Sequence, residues 1–123
     1  MLASSRLVAF VATSDAARAK AFYGGVLGLR LISEDGFAVV FDANGTTLRV
    51  GIVPELVLAP YTVLGWGVKD ITAMVRGLAA AGVPFERYAW MQQDELGIWS
   101  APGGAKVAWF QDPDGNVLSV SQR

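Results

Sequence analysis

VAFVATSDAAR (residues 8–18) and VLGWGVKDIT (residues 63–72) share one plan. Each runs an apolar, β-prone stretch into an Asp, Asp15 or Asp70, placed seven residues after the first Val. A carboxylate there can accept backbone N–H groups that the first turn of a helix leaves unsatisfied, so each Asp marks a helix start. A second echo lies further along each half: FDANGTTLRV (41–50) against FQDPDGNVLSV (110–120), with Gly45 and Gly115 each three residues before a Leu. The chain therefore reads as one unit used twice, and matched positions in the two halves can be compared.

Working outward, the first unit reads as a strand over 6–12 and a helix capped by Ser14 or Asp15. That helix shows Arg18 and Lys20 to solvent, buries Phe22, Tyr23 and Val26, and stops near Gly24–Gly28. Strands are expected over 29–33, 37–41 and 46–53, with turns at Glu34-Asp35-Gly36 and Ala43-Asn44-Gly45. Asn-Gly signals a hairpin because both residues tolerate positive φ. After a linker bounded by Pro54 and Pro60 the pattern restarts with a strand over 62–68. Ile71, Met74, Val75, Leu78 and Ala79 then recur at helical spacing as one apolar face, and Gly82 supplies a left-handed stop. Strands follow over 85–92, 105–111 and 117–121, with a tight turn at Asp112-Pro113-Asp114-Gly115-Asn116. The stretch QDELGIWSAPGG (93–104) is irregular and has no counterpart in the first half.

This gives an α+β fold of two βαβββ modules, module one about 5–53 and module two about 61–123, within a single domain over 1–123. Neither module hides the inner face of a four-stranded sheet alone. Side by side they are expected to curl into an incomplete eight-stranded barrel, a cup with helices outside.

Composition narrows the chemistry. Ten basic against eleven acidic residues, with no long run of either sign, give no footprint for nucleic acid or an anionic membrane. There is no Cys, hence no disulfide, thiolate site or Cys-based zinc site. There is no His either, which removes the commonest metal ligand and the usual general base near pH 7. The N-terminus shows no signal-peptide pattern and no apolar run approaches about 20 residues, so a soluble cytoplasmic protein is expected. The 53% hydrophobic content implies a filled core together with an apolar cavity or subunit interface.

The strand-Asp-helix units, FYxxVLGL (22–29) and Trp109-Phe110-x-Asp112-Pro113-Asp114-Gly115-Asn116 together resemble the vicinal oxygen chelate superfamily. This superfamily includes glyoxalase I, extradiol dioxygenases and the fosfomycin- and bleomycin-resistance proteins. The resemblance covers nearly the whole chain and implies the two-module cup. It does not choose an activity, since the fold hosts enzymes and pure binders.

In metal-dependent members the first and last strands of each module supply His or Glu to an ion. The internal alignment carries those positions to Val8, Arg49, Val63 and Ser119. Two aliphatics, a guanidinium and a hydroxyl do not make an oxygen- or nitrogen-rich cation site. No metal and no cofactor is therefore expected, and no catalytic residue is assigned.

What remains is a cup for a small molecule. Arg49 forks onto carboxylate or phosphate; its alternative is a structural pair with Glu55, Glu86, Asp94 or Glu95. The four Trp residues suit a flat ligand, or else fill the core, with Trp99 favoured for binding because it lies in the irregular stretch. Parity puts Gly65, Gly67, Val117 and Ser121 on the face of Val63 and Ser119, turns Trp66 away from it, and leaves Trp109 unassigned. The expected ligand-contacting set is Arg49, Ser119, Val8, Val63, Trp90, Trp99 and Gln92. The function expected is metal-free binding of a partly aromatic, anionic or carbonyl-bearing molecule, by a homodimer burying sheet edges or helices. The alternative is a lyase or isomerase of the lactoylglutathione-lyase-like type acting on a small carbonyl compound.

Overall fold

A computed structural model describes residues 1–123 and divides them into two compact units, 1–57 and 58–123. Unit one runs β1 (Val8–Thr13), α1 (Ala16–Lys20), β2 (Arg30–Glu34), β3 (Ala38–Ala43) and β4 (Thr46–Ile52). Unit two runs β5 (Leu64–Gly67), α2 (Ile71–Ala80), β6 (Trp99–Ser100), β7 (Lys106–Gln111) and β8 (Val117–Gln122). The sheets have matching orders, β1-β4-β3-β2 and β5-β8-β7-β6, with first and last strands parallel and the remaining pairs antiparallel. This is βαβββ twice, in two four-stranded sheets that share no strand pairing. No helix is long and apolar enough to cross a membrane.

The caps form where the repeated Asp predicts them. Asp15 accepts from Arg18 N at 3.0 Å and Asp70 from Ala73 N at 3.1 Å. Asn44 (φ 52°) and Gly45 (φ 93°) turn the β3–β4 hairpin. Gly82 (φ 92°) ends α2, with Val83 N donating to Leu78 O across it.

Three expectations fail for identifiable reasons. The first concerns Val26, which is exposed rather than buried. α1 widens into π turns over Ala21–Val26, with Leu27 N donating to Phe22 O. A five-residue hydrogen-bond step rotates Val26 off the face that Phe22 and Tyr23 occupy. In α2 the buried stripe is Ile71, Val75 and Leu78, narrower than the face expected, and it leaves Met74 and Ala79 outside.

The third failure decides the site. Residues 85–92 form no strand; pairing with β7 is limited to an isolated bridge at Phe85–Phe110, with Glu86 N donating to Trp109 O at 2.8 Å. Gln93 takes over where strand pairing would have been. Its Oε1 accepts from Tyr88 N at 2.8 Å, and its Nε2 donates to Glu86 O at 3.0 Å and Gly97 O at 2.8 Å. Arg87 ties down the carbonyls of Asp94 and Glu95. With Gln93 and Arg87 holding much of this segment's backbone, the paired edge strand of the sheet is instead Trp99–Ser100, from the stretch expected to be irregular.

Each sheet has a core face and an open face. In unit two Ala108, Phe110, Leu118 and Val120 are buried, and α2 packs on β7 and β8. In unit one Val11, Val39, Phe41, Leu48 and Val50 are buried, with Tyr23 tilted against Phe41 at 6.1 Å. The alternate residues make the open faces.

Candidate functional site

Register places the open faces residue by residue. In unit one Phe10 pairs with Arg49, Val8 with Thr47, and Val40 with Arg49 from the other side. Val8 and Arg49 thus share a face on neighbouring strands, as the alignment predicts. Phe10, 63% exposed, stands beside the Arg49 guanidinium's strand position as its only large aromatic register partner. None of the four acidic residues considered for Arg49 pairs with it. The charge that feels Arg49 is Asp35, whose carboxyl sits below its ordinary value. Hydrogen bonds from the N–H groups of Phe37 and Ala38 are the main cause, and Arg49 adds to them. The open face also carries the Arg30–Asp42 pair at 3.4 Å.

In unit two Gly65 pairs with Ser119, Gly67 with Ser121, and Val63 N donates to Val117 O, so Val63 and Ser119 share the open face. Trp66 pairs with Val120 on the opposite, helix-side face. Trp109 pairs with Ser119 across β7–β8, which settles it on the open face; Val107 and Trp99 follow on the same side.

The rings of this face are continuous. Trp99 lies 6.1 Å from Trp109, Trp109 meets Tyr88 edge-on at 5.7 Å, and Tyr88 stacks on Trp90 at 5.8 Å. Trp109 Nε1 donates to Thr62 Oγ1 at 3.0 Å. Burial pushes the Tyr88 phenol up, with Glu86 adding to the shift, so it stays neutral at physiological pH. Trp90 caps the row and is 79% exposed. Parity on single strands could not reveal Tyr88 and Thr62, because their roles depend on the failed strand and on the β5 end of the sheet. Trp109 needed the register, although its alternation with buried Ala108 and Phe110 was a usable signal.

Gln92 is exposed. It lines a cleft of about 560 Å³ with Met91, Gln93, Asp94, Trp99 and Ser100, and this cleft meets the ring row at Trp99. A second hollow of about 400 Å³ lies beside the C-terminal end of α2, among Val75, Val83, Phe85 and Leu96, away from every residue expected in the site.

Asp112 is the most buried carboxylate, and the turn accounts for it. Oδ1 accepts from the N–H groups of Asp114 and Asn116, and Oδ2 from the Asn116 amide at 2.8 Å. No three His, Cys, Asp or Glu residues gather as a cation site. The side chains of Val8, Arg49, Val63 and Ser119 do not fit a divalent ion, because none offers an anionic oxygen or an imidazole nitrogen.

Comparison with known proteins agrees with this architecture. A glyoxalase family protein from Enterococcus faecalis has a similar structure, with TM-score 0.71 and 18% identity over 98% of this chain and 99% of that one. A superfamily member from Sphaerobacter thermophilus matches over the full length of both chains, with TM-score 0.76 and 20% identity. Lactoylglutathione lyase from Agrobacterium tumefaciens gives TM-score 0.75 and 19% identity over 97% of this chain and 93% of that one. At these identities the likeness is one of fold. No curated protein sequence matches the chain. A family profile, Glyoxalase/Bleomycin resistance protein/Dioxygenase superfamily, matches residues 6–120, and the chain belongs to that superfamily.

Proposed function

We propose that this protein binds a small, partly aromatic molecule without a metal ion and without chemistry of its own. The observation that carries the reading is the ring row Trp99–Trp109–Tyr88–Trp90 on the open face of module two. A row that ends in an exposed Trp leaves apolar ring surface in water, and a planar ligand would cover it. Each aromatic pair formed adds about 0.5–1.5 kcal/mol beyond area burial. Val63 and Ser119 border this surface and Gln92 lies at its rim. Arg49 and Val8, on the open face of module one, form a separate recognition element suited to a carboxylate or phosphate. The absence of His and Cys and the lack of a gathered donor set support a binder over a lyase or isomerase.

We read the working form as a cytoplasmic homodimer. Leu7, Phe10 and Leu31 are exposed near the edge strands β1 and β2, where a second copy would protect them. Equilibrium sedimentation measures that directly, and a monomer at high micromolar concentration would refute it.

Calorimetric titration with planar aromatics tests the main reading. Naphthalene-sized rings should bind wild-type protein, and Trp99→Ala should weaken them about tenfold. Unaltered affinity in Trp99→Ala, or no binding at millimolar ring concentration, would defeat it.

A further inference from the structure

On the open face of module two, glycines lie beside hydroxyls, Gly65 against Ser119 and Gly67 against Ser121. Ser119 stands between Gly65 on β5 and Trp109 on β7. A Cβ on residue 65 would lie 2.6 Å from Ser119 Oγ and 3.3 Å from Ser119 O, so the hydroxyl occupies space that any other residue at 65 would claim. Two positions on, Gly67 faces open space. No protein group hydrogen-bonds the Ser119 hydroxyl. The neighbouring indole N–H is engaged by Thr62, so Trp109 presents an apolar ring wall beside it. Across three strands, the register partners on this face are Gly65, Ser119 and Trp109, then Gly67, Ser121 and Val107; none is charged.

We infer that this patch is a subsite for an uncharged hydroxyl or carbonyl substituent on a planar aromatic ring, read by Ser119, whose hydroxyl fits only because residue 65 is a glycine. The inference rests on the binding function proposed above and adds the chemistry of the group recognised. A Ser hydroxyl both donates and accepts, so it serves a carbonyl or a hydroxyl equally. A carboxylate placed here would lose water against Trp109 without a counter-charge on the face. The substituent meets the Ser119 hydroxyl, which itself lies over Gly65, while the ring packs against the indole.

The test is calorimetric titration of the intact protein with three rings of one size: 2-naphthol, 2-methylnaphthalene and 2-naphthoate. Wild-type protein should bind 2-naphthol about threefold to tenfold more tightly than 2-methylnaphthalene, the worth of one neutral hydrogen bond. Ser119→Ala should erase that advantage and leave 2-methylnaphthalene unaffected. Gly65→Ala should do the same by displacing a hydroxyl that is still present. Equal loss for both neutral rings in Ser119→Ala, unchanged 2-naphthol affinity, or 2-naphthoate binding as tightly as 2-naphthol would each overturn the inference. If 2-naphthol dissociates a dimer during sedimentation, the natural occupant of the face is a second copy and the inference falls. If neither neutral ring binds wild-type protein, the proposed function itself fails, an outcome distinct from binding that ignores Ser119.

Discussion

The two modules share strand order and an Asp helix cap, yet their open faces have little in common. At the matched position of the last strand, module one holds Arg49 between Phe10 and Val40, whereas module two holds Ser119 between Gly65 and Trp109. One face sets a single exposed ring, Phe10, among aliphatic and charged side chains; the other combines glycines, hydroxyls and several large rings. The core faces stay alike, because Leu48 and Val50 are matched by Leu118 and Val120, all buried. Duplication preserved what packs against the helices, since a core residue cannot change without a cavity or a clash. The open face had no such constraint, so it is where function could diverge.

The ring hub gives the largest contrast. Trp109 touches Trp99 and Tyr88 and donates to Thr62, while its register counterpart Val40 makes no ring contact. Trp109→Ala should cost about 3 kcal/mol of unfolding free energy, at the lower end for large-to-small aromatic changes because the residue is half-buried. Val40→Ala should cost about 1 kcal/mol. Urea denaturation of both variants measures the difference. Equal losses would mean that the row is incidental to the stability of module two.

Gln93 sharpens the comparison at the next level. Module one closes its edge with an extended β2–β3 pairing, whereas module two has a short β6–β7 pairing and a side-chain amide that holds the segment before it. Gln93→Ala removes three hydrogen bonds and should cost about 1–2 kcal/mol. Amide exchange should accelerate over residues 85–98 and leave β2–β3 unchanged. Protection that persists at the Tyr88 amide would show that something other than Gln93 holds the segment.

That substitution also marks where sequence reading stops. Asp15, Asp70, Gly82 and Asn44-Gly45 act on their own neighbours in the chain, so their roles were legible, as was the duplication. Given Val63 and Ser119 on one face, strand parity correctly added Gly65 and sent Trp66 to the other, because alternation needs only one strand. Residues 85–92 misled because their apolar, aromatic pattern suits a strand, while the competing amide of Gln93 leaves no periodic trace. Trp109 and Tyr88 became neighbours only through that irregular path. Val26 failed for a related reason, since π turns follow hydrogen bonding that residue spacing does not report. The superfamily's ligand positions could be located by counting, but which rings meet around them could not.

The smallest effects lie at opposite ends of the pH scale, one per module. Asp35 in module one has its carboxyl lowered below 3.8 by the Phe37 and Ala38 amides, with Arg49 contributing less. The stability it contributes is present above that ordinary value and disappears as pH falls through the lowered one. Tyr88 in module two is raised above 10.0 by burial and by Glu86. Its contribution is present below pH 10.0 and disappears as pH rises through the raised value. Asp35→Asn should therefore flatten only the acid limb of a stability-against-pH curve, and Tyr88→Phe only the alkaline limb. Arg49→Ala should move the Asp35 titration upward by less than loss of its amide bonds would, because those bonds are the larger cause. Carboxyl-detected NMR titration of Asp35 in wild type and Arg49→Ala reads this directly. An Asp35 titration unmoved by Arg49→Ala would mean the two side chains do not interact, leaving the guanidinium without the one acidic neighbour assigned to it. A shift equal to the whole displacement would make Arg49 a committed structural partner rather than a group available to an anion.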